Sequence, residues 1–268
     1  GADLVTAIAL AGSGLSGDIL TQFAGAEGRG ISGLYNLSGA GSVVQGAAFF
    51  KRAEQLVLTP TGTLGANGAG LLTGYLDSSA QSVTDQFVLD ATHVAYFNAA
   101  SAPSYIELSN VAGCVTCQFD AATASLMDAN SDAVTGSRWG RWQGDYVVGR
   151  DGFLQNNLSD NYHYVYNPTL TTSSVASNLV GTALFNFADG SAPTDQLGNL
   201  GSINSANSFM SVNFDTQAFE TVQLDLTINS NHYLLQNAAS TPFGADLVTA
   251  IALAGSGLSG DILTQFAG

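Results

Sequence analysis

The stretch ETVQLDLTIN, residues 220–229, decides what kind of fold this chain adopts. Val222, Leu224, Leu226 and Ile228 alternate with Thr221, Gln223, Asp225 and Thr227. Successive side chains of a strand point to opposite faces, so period-two alternation predicts a strand with one buried and one wet face. The same pattern spreads outward from it. FMSVNFD aligns Met210, Val212 and Phe214, and GTALFNFADG aligns Ala183, Phe185 and Phe187. NYHYVYN puts Tyr162, Tyr164 and Tyr166 together, and HYLLQN at 232–237 adds a short strand. Turn chemistry separates these runs: NPT at 167–169, ADGSAPTDQLGN at 188–199 and NSN at 229–231. Short alternating runs between Gly-, Asn- and Asp-rich turns predict an antiparallel barrel or sandwich.

The N-terminal part continues the pattern. RGISGLYNLSG and SVVQGAAFFKR predict two more strands joined by SGAGS. Residues 58–135 form a different β-rich region, with strands expected near 71–76, 86–97 and 104–111, then a cysteine hairpin. Helical periodicity is scarce; the sequence leaves room for short helical turns only near 78–87 and 173–180.

Composition limits the function classes. Charged residues make up 10% of the chain and apolar residues 46%, so a core is affordable while the surface must be built from Ser, Thr, Asn, Gln and Gly. Net charge is −15, with six basic residues. Such a chain offers no basic face to phosphates or anionic lipid, which excludes nucleic acid and an electrostatic membrane contact. No apolar run reaches the ~18 residues that a spanning helix needs, so no membrane insertion is expected.

Several chemical motifs fail on context. Gly12, Gly14 and Gly17 spell G-x-G-x-x-G, but no crossover helix or second parallel strand follows, so a glycine-rich β turn is expected instead of a dinucleotide site. DANSDAVTGSRW (128–139) begins like a calcium loop. It lacks the Gly at its sixth position, where Ala133 stands, and the Glu at its twelfth, where Trp139 stands. A surface turn is the expectation, with no metal. No G-x-S-x-G or H-E-x-x-H occurs, and His93, His163 and His232 are scattered. No catalytic residue, cofactor or enzymatic activity is expected.

Two local features remain. Cys114 and Cys117 are the only cysteines. C-x-x-C can be a redox motif, half a zinc site or a structural disulfide; the short, turn-rich flanks favour a disulfide, which implies an oxidising compartment. Arg138, Trp139, Arg141 and Trp142, in SRWGRWQGDY, could be Trp packed beneath Arg or an aromatic platform for an unknown surface ligand.

SRWGRWQGDYVV, NYHYVYNP, GTALFNFADGSAPTDQLGNLG and FMSVNFDTQAFETVQLDLTI together resemble the eight-stranded β-barrel domain of the transferrin-binding-protein-B type, as found at the C-terminal end of large FecR-domain bacterial surface proteins. The resemblance covers roughly residues 105–243. In that family the barrel continues past the position of NHYLL with G-x-F-x-G, a G-x-Y strand and G-A-A-x-F. Here the matching elements stand at the start, in TQFAGAEGRGISGLYNL and VVQGAAFFKR. The resemblance therefore implies the order 136–243 followed by 1–52.

A repeat fits this order. GADLVTAIALAGSGLSGDILTQFAG fills residues 1–25 and recurs letter for letter at 244–268, a period of 244 − 1 = 243 residues. The expected architecture is all-β: an antiparallel eight-stranded barrel plus a smaller β-rich region, in a repeat or strand-complemented arrangement. Residues 1–57 are expected to supply a barrel's closing strands, 58–135 the β-rich region with the cysteine hairpin, and 136–268 the main barrel. The expected function is structural: a unit of a secreted or cell-surface bacterial filament or giant adhesin, with copies of itself as partners. Capture of a surface ligand or host protein is the alternative that the family resemblance implies.

Overall fold

The computed structural model describes residues 5–12, 15–24, 30–39, 42–52, 69–76, 82–89, 94–98, 102–111, 114–150, 153–157, 161–168, 178–237, 239–242, 248–255 and 258–265. Their architecture is almost entirely β, as the alternation predicts. Four strands open the chain: β1 (Val5–Gly12), β2 (Leu15–Ala24), β3 (Gly30–Gly39) and β4 (Ser42–Arg52). Ten follow before the chain returns to them. These are β5 (Ala69–Leu76), β6 (Ser82–Leu89), β7 (Val94–Phe97), β8 (Pro103–Val111), β9 (Cys114–Asp120), β10 (Ser125–Ser131), β11 (Arg138–Gln143), β12 (Tyr146–Arg150), β13 (Phe153–Asn157) and β14 (Asn161–Asn167). The last part holds β15 (Thr182–Gly190), β16 (Thr194–Asp195), β17 (Gly201–Ile203), β18 (Phe209–Asn213), β19 (Ala218–Ile228), β20 (Asn231–Gln236), β21 (Thr241–Pro242), β22 (Val248–Gly255) and β23 (Leu258–Gln265).

The main sheet curls into a barrel. Antiparallel pairing runs β20–β19–β18–β15–β4–β3–β2–β1, and β1 returns to β20 through Ala11↔Gln236. The four N-terminal strands thus complete this barrel-like sheet within their own chain. One face of each wall strand points inward. Tyr35, Val44, Phe50, Phe185, Met210, Val212, Val222, Leu224, Leu226 and Leu235 form one buried cluster. An eight-stranded barrel has an interior just wide enough for such side chains to fill. Each fully buried large apolar side chain contributes about 1.5–3 kcal/mol from removal of its surface from water.

Tyr35 and Gly46 show how tight this filling is. A Cβ on Gly46 would fall inside the phenol ring of Tyr35, which lies against that backbone. Among the described residues the buried Tyr35 hydroxyl has no hydrogen-bond partner, and burial raises its pKa well above the usual tyrosine value. Gly46→Ala is expected to lower stability by about 1–3 kcal/mol through overpacking. Tyr35→Phe, which removes the unsatisfied oxygen and leaves the ring, is expected to be neutral or to stabilise by about 1 kcal/mol. Denaturant midpoints of the two variants check both signs.

The segment between β4 and β15 is a β-sandwich laid on the barrel. Its inner sheet has the order β10-β11-β14-β5-β6 and its outer sheet β13-β12-β9-β8-β7. Leu71, Tyr75, Trp142, Tyr162 and Tyr164 of the inner sheet pack against Ile106, Phe119, Tyr146 and Val148 of the outer one. The other face of the inner sheet packs on the barrel wall: Leu72, Trp139 and Val165 meet Ala24, Leu34, Ala47 and Phe49.

Two expectations are corrected here. The strands from Arg138 to Asn167, assigned to the barrel by the 136–268 boundary, belong to the sandwich. The alternation of β14 looked half-buried because only its tyrosine face is apolar. Its opposite face, with His163 and Val165, is buried against the barrel. Residues 82–87, where the sequence allows a helical turn, lie in β6; 78–81 and 173–177 fall outside the described residues.

Candidate functional site

The duplicated segment builds a hairpin twice. β1 and β2 pair with Ile8↔Ile19 at the centre, and β22 and β23 pair with Ile251↔Ile262 in the same register. Of the G-x-G-x-x-G glycines, Gly12 pairs with Leu15 and Gly17 with Leu10 in this hairpin, while Gly14 falls outside the described residues. Both strands around it are antiparallel neighbours, so the strand-to-helix turn of a dinucleotide site is not formed.

The second hairpin lies against the first. β23 pairs with β1 at Val5↔Gln265, Thr6↔Thr264 and Ala7↔Leu263. β1 pairs with β2 at Val5↔Gln22, Thr6↔Thr21 and Ala7↔Leu20. Gln265, Thr264 and Leu263 are the repeat equivalents of Gln22, Thr21 and Leu20, so β23 meets β1 in the register that β2 uses. β23 also runs parallel to β2 at Thr21↔Thr264 and Gln22↔Gln265. The second hairpin thus pairs with the first, which itself stands between β3 and β20 in the barrel wall. That place is held unevenly. β2 joins β3 from Ser16↔Ser38 to Ala24↔Gly30, whereas among the described residues β1 joins β20 at Ala11↔Gln236.

A second constellation sits where sandwich and barrel meet. His163 of β14 is fully buried, with Nδ1 2.8 Å from Ser191 Oγ and Nε2 2.8 Å from Thr194 Oγ1. The Ala47 amide donates to the same Ser191 Oγ at 2.8 Å. Burial, and then the positive charge of Arg141, push the His163 pKa down from 6.5 to about 3. The ring is therefore neutral at ordinary pH. With Ser191 1% exposed and His163 0%, this pair clasps two layers instead of meeting a substrate. Ser32 Oγ donates to Asn167 Oδ1 at 2.9 Å, and Gln45 Nε2 donates to the Tyr75 carbonyl at 3.1 Å, across the same seam. Lys51 Nζ lies 3.5 Å from Asp132 Oδ1 at its rim.

The Arg/Trp motif belongs to this seam, which corrects its reading as a surface platform. Trp139 is 2% exposed, Trp142 5% and Arg141 1%. The two Trp are three residues apart on β11 and so point to opposite faces. Trp139 stacks on Phe49 of the barrel, with centroids 5.1 Å apart and planes at 7°. Trp142 enters the sandwich core, where its Nε1 donates to the Pro103 carbonyl at 2.9 Å. Arg141 follows Trp139 toward the barrel; Nε reaches Asp128 Oδ2 at 2.9 Å and Nη1 reaches Asn161 Oδ1 at 2.5 Å. Arg138 does lie over an aromatic ring, but the ring is Tyr166, 5.7 Å from centroid to Cζ. Sequence reasoning assigned Arg to Trp because it had no view of β14.

A cleft of about 430 Å3 opens between β10 and the barrel, lined by Asp128, Asn130, Phe187, Asp189, Pro193 and Ile203 among others. Bulges interrupt both walls, between Met127 and Asn130 and between Phe187 and Asp189. Asn130 Nδ2 donates to Asp189 Oδ2 at 2.5 Å across it. The calcium-like stretch is indeed split into strand and turn. Asp132 Oδ2 accepts from the Val134 and Thr135 amides and from Thr135 Oγ1. Those hydrogen bonds and Lys51 outweigh partial burial and lower the Asp132 pKa. Among the described residues no three His, Cys, Asp or Glu converge as metal ligands.

The remaining sequence-marked residues are structural or lie elsewhere. His232 Nε2 meets the buried Asp225 Oδ1 at 2.5 Å, while Asn204 and Asn207 cover the other carboxylate oxygen at 3.1 and 2.9 Å. That buried aspartate sits on the presumed wet face of ETVQLDLTIN; the loop at 204–208 covers it. His93 falls outside the described residues. Cys114 opens β9 and Cys117, 7% exposed, packs within the sandwich core. No protein family, curated protein or solved structure matches this chain.

Proposed function

We propose that this chain is the repeating unit of a secreted or bacterial cell-surface filament or giant adhesin, joined in series through its 25-residue hairpin. One observation carries the reading: the second copy of the hairpin addresses β1 in the register of the first. A segment that fits both ends of a unit is what a joint requires, whether the chain continues through it or a neighbour lends it. The likeness of the strand motifs to the transferrin-binding type of surface barrel supports the surface assignment. So does the small charged fraction, which leaves a wet face of Ser, Thr, Asn and Gln. The proposal assigns the chain no catalysis.

The test is direct. Intact mass and unboiled gel electrophoresis of the native material are expected to give multiples of the unit, and negative-stain microscopy regular fibres. A monodisperse 27.4 kDa species at every concentration would sink the reading.

A Cys114–Cys117 disulfide is part of the proposal. It is supported by the absence of free cysteines among the described residues and by the chain's having two cysteines in all. Alkylation of the denatured protein is expected to label neither cysteine before reduction and both after it. Labelling without reductant would remove the bond, and with it the argument for an oxidising compartment.

The second reading, ligand capture, is favoured by the cleft beside Asp128 and Asp189. Pockets occur preferentially at domain interfaces. Asp189→Ala is the variant with which to check it against a small-molecule binding screen; an unchanged binding profile removes the cleft from consideration.

A further inference from the structure

We propose that the place between β3 and β20 is a docking site for the hairpin of a second copy of this chain, which presents its residues 244–268. The inference rests on the filament reading and names the partner at its joint. Residues 244–268 are identical to 1–25, so any wall position that accepts one accepts the other with the same backbone pairs and the same side chains. The chain already displays this equivalence, because β23 pairs with β1 where β2 does. Each chain has one such place and two hairpins for it. One hairpin is always in surplus, and strand edges of that kind are templates for pairing with another chain.

Both hairpins can reach the place within one molecule. The N-terminal copy is tied to β3 through positions 25–29, and the C-terminal copy is tied to β20 through positions 237–247. Filling by the chain's own hairpin avoids the loss of translational freedom that association costs. Filling from a neighbour therefore dominates where chains are concentrated, or where the chain's own N-terminal copy is out of place. The opening point is the β1–β20 side, joined among the described residues at Ala11↔Gln236. The resulting contact is head-to-tail: the C-terminal hairpin of one copy enters the barrel of the next. A heterologous contact of this type does not close on itself, so it propagates.

The experiment uses a labelled synthetic peptide, GADLVTAIALAGSGLSGDILTQFAG, and a scrambled control. The full chain is refolded from denaturant with the peptide in about tenfold molar excess. One peptide per chain is expected to be incorporated, with the scrambled sequence at least ~tenfold weaker. Ile8→Pro with Ile19→Pro disables the N-terminal hairpin by removing ladder donors. That variant is expected to form dimers and larger species on concentration, and excess peptide returns them to single chains. Disabling the C-terminal copy instead, with Ile251→Pro and Ile262→Pro, is expected to leave a monomer. Failure of both the refolded full chain and the N-terminal variant to take up peptide overturns the proposal. Uptake without fibres keeps the docking site and removes the filament reading. Fibres from a chain that takes up no peptide leave the filament and overturn the exchanged hairpin.

Discussion

Deletion of residues 1–25 alone, or of residues 244–268 alone, is expected to leave a folded barrel, whereas deletion of both is expected to abolish it. The two single deletions are circular variants of one closed wall: β3 receives its neighbour from the N-terminal side in one, and β20 from the C-terminal side in the other. Each retains one hairpin with the register Ile8↔Ile19 or its equivalent. Their unfolding free energies are expected to agree within about 1–2 kcal/mol, the scale on which loop-closure differences act. The double deletion strips β3 of its whole ladder with β2 and leaves β20 without β1. It also uncovers the side of the barrel where Ile31, Tyr35, Leu37 and Leu235 are buried. Uncovering four such side chains costs about 6–12 kcal/mol, which rivals the whole stability of an ordinary domain. Circular dichroism and cooperative urea unfolding of the three truncations check this. A cooperative transition in the double deletion near the midpoint of the full chain would show that neither hairpin closes the wall.

Acid is expected to loosen the seam between sandwich and barrel through His163. Its folded pKa, about 3, lies below the ordinary value of 6.5 because the ring is buried and faces Arg141. As pH falls the unfolded chain takes up this proton first. The stability held by the neutral ring is therefore complete above pH 6.5 and is lost between 6.5 and about 3. One proton changes stability by about 1.4 kcal/mol per pH unit, so the fall between pH 7.5 and 4.5 amounts to about 3 kcal/mol. His163→Gln keeps a group that can bond Ser191 or Thr194 but cannot charge. Its stability is expected to be lower at pH 7.5, where a fitted ring is lost, and flatter with pH. Paired urea titrations at the two pH values decide it. A variant with the full acid slope of the parent would assign that slope to other groups. Asp132 is not among them: its lowered pKa costs stability only as pH falls below the usual carboxylate range, under both of those pH values.

Much of the fold was legible in local patterns. The stripe Val222, Leu224, Leu226 and Ile228 lines the barrel, and so do Ala183 and Phe185, Met210 and Val212. These could be read because a strand with one wet face carries its orientation in its own alternation. The exact repeat was legible as well, since it stands in plain letters. The seam was not. β11 and β14 are buried on both faces, and a strand of that kind has no polar side to announce which neighbour lies where. Arg138, Trp139, Arg141 and Trp142 look like one cluster in the chain, yet alternate strand faces send Trp139 and Arg141 to the barrel and Arg138 and Trp142 to the sandwich. His163, Ser191 and Thr194 come together from separated strands, and no spacing rule links them.

The amino-acid sequence alone settled the strand-rich character, the inward faces of the barrel wall and the identity of the two hairpins. Each of these is a property of neighbouring letters. Tertiary structure alone decided that β5–β14 form a sandwich on the barrel, that His163 is a buried clasp, and that the second hairpin pairs with the first in the register of β2. Those outcomes depend on which surfaces exclude water together, and residues far apart in the chain share that choice only once it has folded.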